Sequence, residues 1–162
     1  MGAWGFGSFE NDDASDFLAE ATESGDLSLI REALDNVLAS TEYIEAPDAS
    51  VAIVAAEIIA AALGRPSLSA QRKKALSEWI SRIRPTIDAE LATQARNALS
   101  KIVGKNSELR DLWEETDEFS HCFVLVLRLP PRSTPGLSLL PYPASRPRAS
   151  TIEFHLPKAA KR

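Results

Sequence analysis

Carboxylates are what this chain offers for chemistry over most of its length. Its first 120 residues hold 22 acidic side chains and neither a histidine nor a cysteine. Thiolate nucleophiles, Ser-His catalysis and zinc sites built from nitrogen or sulfur ligands are therefore excluded from that stretch. Two sets of acids stand out. Glu10, Asp12, Asp13 and Asp16 are close enough to gather oxygen ligands for Mg²⁺ or Ca²⁺. They do not follow EF-hand spacing, which needs acids at alternate positions followed by glycine. Capping accounts for the same residues more simply: Asn11 as N-cap places Asp12 and Asp13 in a first helical turn, where the helix dipole favours anions. Glu57 is the second point, because its neighbours Ala55, Ala56, Ile58 and Ile59 predict at least partial burial. A buried carboxylate needs a partner, and Arg31, Arg82 or Arg84 could reach it from adjacent helices, so a core ion pair or a solvated edge of the helix is expected there.

Nothing else assembles into a recognisable site. His121 and Cys122 are adjacent, without metal-ligand spacing, and His155 stands apart. Gly2, Gly5 and Gly7 lack the preceding strand and the Lys-Ser/Thr ending of a phosphate loop. No catalytic residue, metal or cofactor is assigned.

Helices must position these groups. Asn11 opens the first, with Ala14, Phe17, Leu18 and Ala21 at helical spacing, and Ser24-Gly25 closes it. A second, from about Leu27 to Ala39, carries Ile30, Leu34, Val37 and Leu38, and Tyr43 and Ile44 pack as a connector. A third, Ala49 to Leu63, begins at Pro47-Asp48, ends at Gly64, and is apolar nearly all round. It is short of the roughly 20 residues of a membrane span, so it reads as the central core helix. A fourth, Ala70 to Ile83, buries Leu76, Trp79, Ile80 and Ile83 and exposes Arg72, Lys73 and Lys74. The fifth runs from about Ile87 or Asp88 to Val103 with Gly104 as its stop. A last short helix is capped by Ser107 and turns Leu109, Leu112 and Trp113 inward. The predicted class is all-α, a compact bundle of five to six short helices.

The chain opens on Trp4, Phe6 and Phe9 interleaved with Gly5, Gly7 and Ser8. An extended strip would put Trp4 and Phe6 on one side and the glycines on the other, letting the backbone lie against helices while the aromatics fill a pocket. A clasp on the core is therefore expected. This Gly-Ala-Trp-Gly and Phe-Glu-Asn-Asp pattern resembles the family catalogued as domain of unknown function 4259. Leu112-Trp113-Glu-Glu and Asp117-Glu118-Phe119 extend the resemblance, which covers about residues 1–119. It implies kinship without implying an activity.

Charge divides the chain near residue 120. The first 120 residues are net −11, and the remaining 42 are net +6, for −5 overall. Seven of ten prolines lie in the second part, which is expected to be disordered or out of frame with the body. Phe123 to Leu129 is its one β-like run. The start lacks a basic-then-apolar leader, so a soluble, cytoplasmic domain is expected; the expected host is bacterial. An acidic body repels phosphate, which argues against a specific nucleic-acid partner. It suits a basic protein partner, since a negative face speeds encounter. The leading expectation is a non-enzymatic interaction module, for example an antagonist that masks a basic enzyme or toxin. A carboxylate-dependent metal enzyme and a small-ligand-binding domain stay open beside it.

Overall fold

A computed structural model describes residues 8–114 together with 124, 125 and 128–130. Among the described residues seven helices follow one another: α1 (Asp12–Glu23), α2 (Ser28–Ala39), α3 (Ala46–Ala62), α4 (Leu68–Gln71), α5 (Lys74–Ile83), α6 (Ala89–Ile102) and α7 (Glu108–Glu114). No strand occurs among the described residues. A single parallel bridge joins Ile44 to Ser107 and ties the α2–α3 connector to the start of α7. The chain is an all-α bundle.

α3 is the hub. It packs against α1, α2, α4, α6 and α7, so it needs apolar residues on every side, and Ala52 to Ala60 are buried without a break. Its alanines let the neighbouring helix axes approach closely. Among the described residues no helix is long and apolar enough to cross a membrane.

Caps and cross-links set the helix ends. Asn11 accepts from the Ala14 amide at 2.7 Å, and Asp88 accepts from Leu91 at the same distance. The Leu91 amide, followed by the Arg31 guanidinium 3.0 Å away, holds the Asp88 carboxyl below the usual aspartate range despite partial desolvation. Glu108 reaches from α7 to the Ala46 amide at 2.7 Å and so caps α3. Lys101 of α6 donates to the carbonyls of Val37, Leu38 and Ser40, placing a positive charge at the C-terminus of α2. The indole of Trp79, only 2% exposed, donates to the Ser24 carbonyl at 2.8 Å and locks α5 against the end of α1.

Several expectations need correction. The helix expected over Ala70–Ile83 is two helices, broken at Arg72 and Lys73, with Lys73 extended (φ −84°, ψ 95°). Lys73 is not simply part of a solvated face: its ammonium lies 5.4 Å from the centroid of the Phe9 ring. Gly25 does not close α1 in a left-handed turn; Ser24 ends it in extended conformation. Gly64 does take the left-handed form (φ 76°), as does Arg84 (φ 49°), the one non-glycine described residue to do so. Gly104 is required for a different reason, because a Cβ there would meet the Lys101 carbonyl oxygen at 2.8 Å. α7 starts from the carbonyl of Ser107, while the buried hydroxyl of that residue finds no hydrogen-bond partner among the described residues. Leu112 points outward, 45% exposed, because α7 turns Trp113 to the core instead. Tyr43 is also outward, while Ile44 is buried. The Tyr43 hydroxyl donates to Asp111 at 2.8 Å; that bond, then burial and the charges of Asp111 and Glu108, push the phenol up to about 12.

Candidate functional site

Glu57 is the most unusual polar residue described. It sits in the middle of α3 with no accessible surface, flanked by buried alanines and isoleucines. Its Oε1 accepts from the hydroxyl of Ser8 at 3.1 Å. Ser8 is buried, and Phe9 beside it is 3% exposed. The segment is then tied to its own helix and to α3: Ser15 donates to the Phe9 carbonyl at 3.2 Å, and the Asn11 amide donates to Ser50 at 3.0 Å. The residue that caps α1 therefore also joins it to α3.

The arginines expected beside Glu57 are engaged elsewhere. Arg31 pairs with Asp88, and Arg82 donates to the Thr22 carbonyl at 2.8 Å. Arg84 is exposed at the end of α5. Burial of Glu57 was foreseeable from its neighbours; its partner was not, because Ser8 is 49 residues away in sequence.

A cleft of about 230 Å³ borders Glu57, with Ser67, Leu68 and Ser69 on one element and Val124, Leu125 and Arg128 on another. Glu57 itself contributes no accessible surface to it. Leu125 and Leu129 are each 1% exposed and join the apolar core. The run expected to be β-like is helical at Val124, Leu125 and Arg128. Arg96 of α6 donates to the carbonyls of Leu129 and Pro130, the latter at 3.0 Å. Arg65 donates to the Arg128 carbonyl at 3.3 Å, and Arg128 returns a bond to the Pro66 carbonyl at 2.7 Å. Sequence reading passed over Arg96, Leu125 and Leu129, since nothing local marks a leucine before a proline run as a core residue.

The acids at the start of α1 do not converge. Asp12, Asp13, Asp16, Glu20 and Glu23 are all exposed, and α1 carries no basic residue. No ion pair among the described residues involves them. No three acids, histidines or cysteines among the described residues come together as a metal site. Trp79 and Trp113 are buried in the core. Trp4 and Phe6, and with them most of the expected clasp, lie outside the described residues; Phe9, its last aromatic, is docked as described above.

Helices packed around one apolar axial helix, with a carboxylate enclosed in that axis, define a small all-α domain. The chain belongs to the family described as Domain of unknown function (DUF4259), which matches residues 2–123. No curated protein and no solved structure shows a significant match to it.

Proposed function

We propose that the domain is an interaction module that binds a basic protein, as an antagonist masking a basic enzyme or toxin would. One observation carries the reading: α1 presents five exposed carboxylates with no basic residue in the helix and no ion pair among the described residues. Unneutralised charge on one helix face projects a field about one Debye length into solvent, roughly 10 Å at 0.1 M salt, and accelerates encounter with positive surfaces. It also disfavours a nucleic-acid partner. The acids lie spread along the helix, an arrangement that suits a protein surface better than a single ion.

Affinity purification of the tagged full chain from its native cells tests this. A stoichiometric basic partner is expected at low salt and is expected to dissociate as salt rises. Recovery of no stoichiometric partner at low salt would sink the proposal. Thermal melts with millimolar Mg²⁺, Mn²⁺ or Ca²⁺ address the carboxylate-metal alternative, for which a rise in Tm with one ion would speak.

A further inference from the structure

Charge is unevenly distributed within the first 120 residues as well. Residues 8–63 hold thirteen acidic side chains and one basic, whereas residues 64–87, which carry α4 and α5, hold six basic and one acidic. The two signs meet along one seam, where α5 packs against α1. Three contacts fix how the two helices lie. The Lys73 ammonium, just before α5, stands over the Phe9 ring, just before α1. Towards the other end Trp79 and Arg82 reach the Ser24 and Thr22 carbonyls. The helices therefore run side by side in the same direction, with Lys74 level with the first turn of α1 and Arg82 level with its last. Asp12, Asp13, Asp16, Glu20 and Glu23 are exposed along α1, and Lys74, Arg82 and Arg84 are exposed along α5 and its end. The two stripes do not neutralise each other within the molecule. Among the described residues no ion pair joins α1 to α5. Arg82 is on a backbone carbonyl, and Lys74 pairs with Glu78 at 3.4 Å, both side chains mostly exposed.

Parallel acidic and basic stripes make a surface complementary to itself. Half a turn about an axis along their seam places the acidic stripe of one copy over the basic stripe of the other, and the reverse, with the register kept. The first-turn acids of α1 then face Lys74 of the second copy, and Glu20 and Glu23 face Arg82 and Arg84. We infer that the seam between α1 and α5 is a self-association surface whose occupant is a second copy of this chain, related by a two-fold axis along the seam. Single exposed ion pairs are weak, but the two-fold repeats each of them, and salt screens them all. The inference shares the acidic face with the proposed basic partner and goes beyond it. No second protein is needed, and a basic partner would compete with the second copy for α1.

Sedimentation velocity of the purified full chain tests this. At about 0.01 M salt the mass is expected to rise with concentration from monomer to dimer, and at about 1 M it should stay monomeric. The dissociation constant is expected to rise about tenfold or more between about 0.01 and about 0.1 M. A monomer at every salt concentration, or a dimer indifferent to salt, would overturn the inference. Charge reversal tests the arrangement itself. The Lys74→Glu, Arg82→Glu variant and the Asp16→Lys, Glu20→Lys variant are each expected to be monomeric alone at low salt and to associate when mixed in equal amounts. Wild-type association of the Lys74→Glu, Arg82→Glu variant alone would refute the seam, since the basic residues after 120 would then be the attractors. So would a mixture that fails to associate while both variants are helical by circular dichroism. The salt series on the wild type decides the point even where a variant fails to fold, and it does not depend on whether native cells yield a basic partner.

Discussion

Two short segments outside the seven named helices border the surroundings of Glu57, and they are held by different balances of side-chain and backbone contacts. Ser8 and Phe9 are held mainly through their side chains, a hydroxyl on the Glu57 carboxylate, a ring buried in the core and an ammonium over that ring, while the Phe9 carbonyl accepts from Ser15. The stretch carrying Leu125 and Leu129 is held by carbonyls that accept from Arg65 and Arg96, by the Arg128 side chain on the Pro66 carbonyl and by burial of the two leucines. The first kind of attachment demands particular residues, and it lies within the family match. The second draws more on backbone acceptors, and it lies beyond that match. Attachment through carbonyls sets fewer demands on side-chain identity than attachment through a buried hydroxyl and ring.

The difference is open to measurement, and Phe9 should give the largest effect. Phe9→Ala removes a ring that is 3% exposed in a closed part of the core, and a loss of about 3–5 kcal/mol is expected in urea unfolding. Leu129→Ala is buried even more completely, yet its cost should be only about 2 kcal/mol, the lower end of the core range. If the stretch opens locally, its own opening free energy limits what the mutation can remove. A loss for Leu129→Ala equal to that for Phe9→Ala would erase the distinction between the two segments.

Ser8→Ala should fall next, at about 1–2 kcal/mol, because it takes a hydrogen-bond donor from a carboxylate that has no access to water. Glu57→Gln keeps an acceptor oxygen while removing the charge, so the Ser8→Ala penalty should shrink by half or more in that background. A penalty that is unchanged by Glu57→Gln would show that Ser8 acts through packing and not through the carboxylate.

These two attachments also show how far sequence reading reached. The helices were legible because their caps and apolar spacing are local signals: Asn11 and Asp88 cap as their types require, and α3 is buried all round as its composition demands. The break between α4 and α5 was not legible, since Arg72 and Lys73 are ordinary helix formers and no glycine or proline interrupts them. Glu57 was expected with an arginine because sequence reasoning supplies partners by charge, and a serine across 49 residues carries no such flag. The exposure of Leu112 depends on which way a seven-residue helix is rotated, which two turns of pattern do not determine. The docking of Leu125 and Leu129 depends on arginines binding carbonyls, and backbone acceptors are present in every sequence alike.

The smallest effect concerns Lys73, and it separates a side-chain attachment from an accident of the break in which the lysine lies. Its ammonium, 5.4 Å from the Phe9 ring centroid, is inside the distance at which a cation is attracted to an aromatic face, an interaction of about 0.5–1 kcal/mol at partly exposed sites. Lys73 is also the residue that precedes α5 in extended conformation, so alanine would change backbone preference along with charge. Lys73→Gln avoids most of that, because it keeps a long polar side chain and removes only the cation. In the wild-type background it should lower stability by about 0.5 kcal/mol. In a Phe9→Leu background, where an apolar side chain remains but the aromatic face is gone, it should have no effect. A double-mutant cycle from urea midpoints measures the coupling directly. Should the Lys73→Gln loss persist without the ring, the lysine would be serving the α4–α5 break, and the hold on Phe9 would reduce to burial of the ring alone.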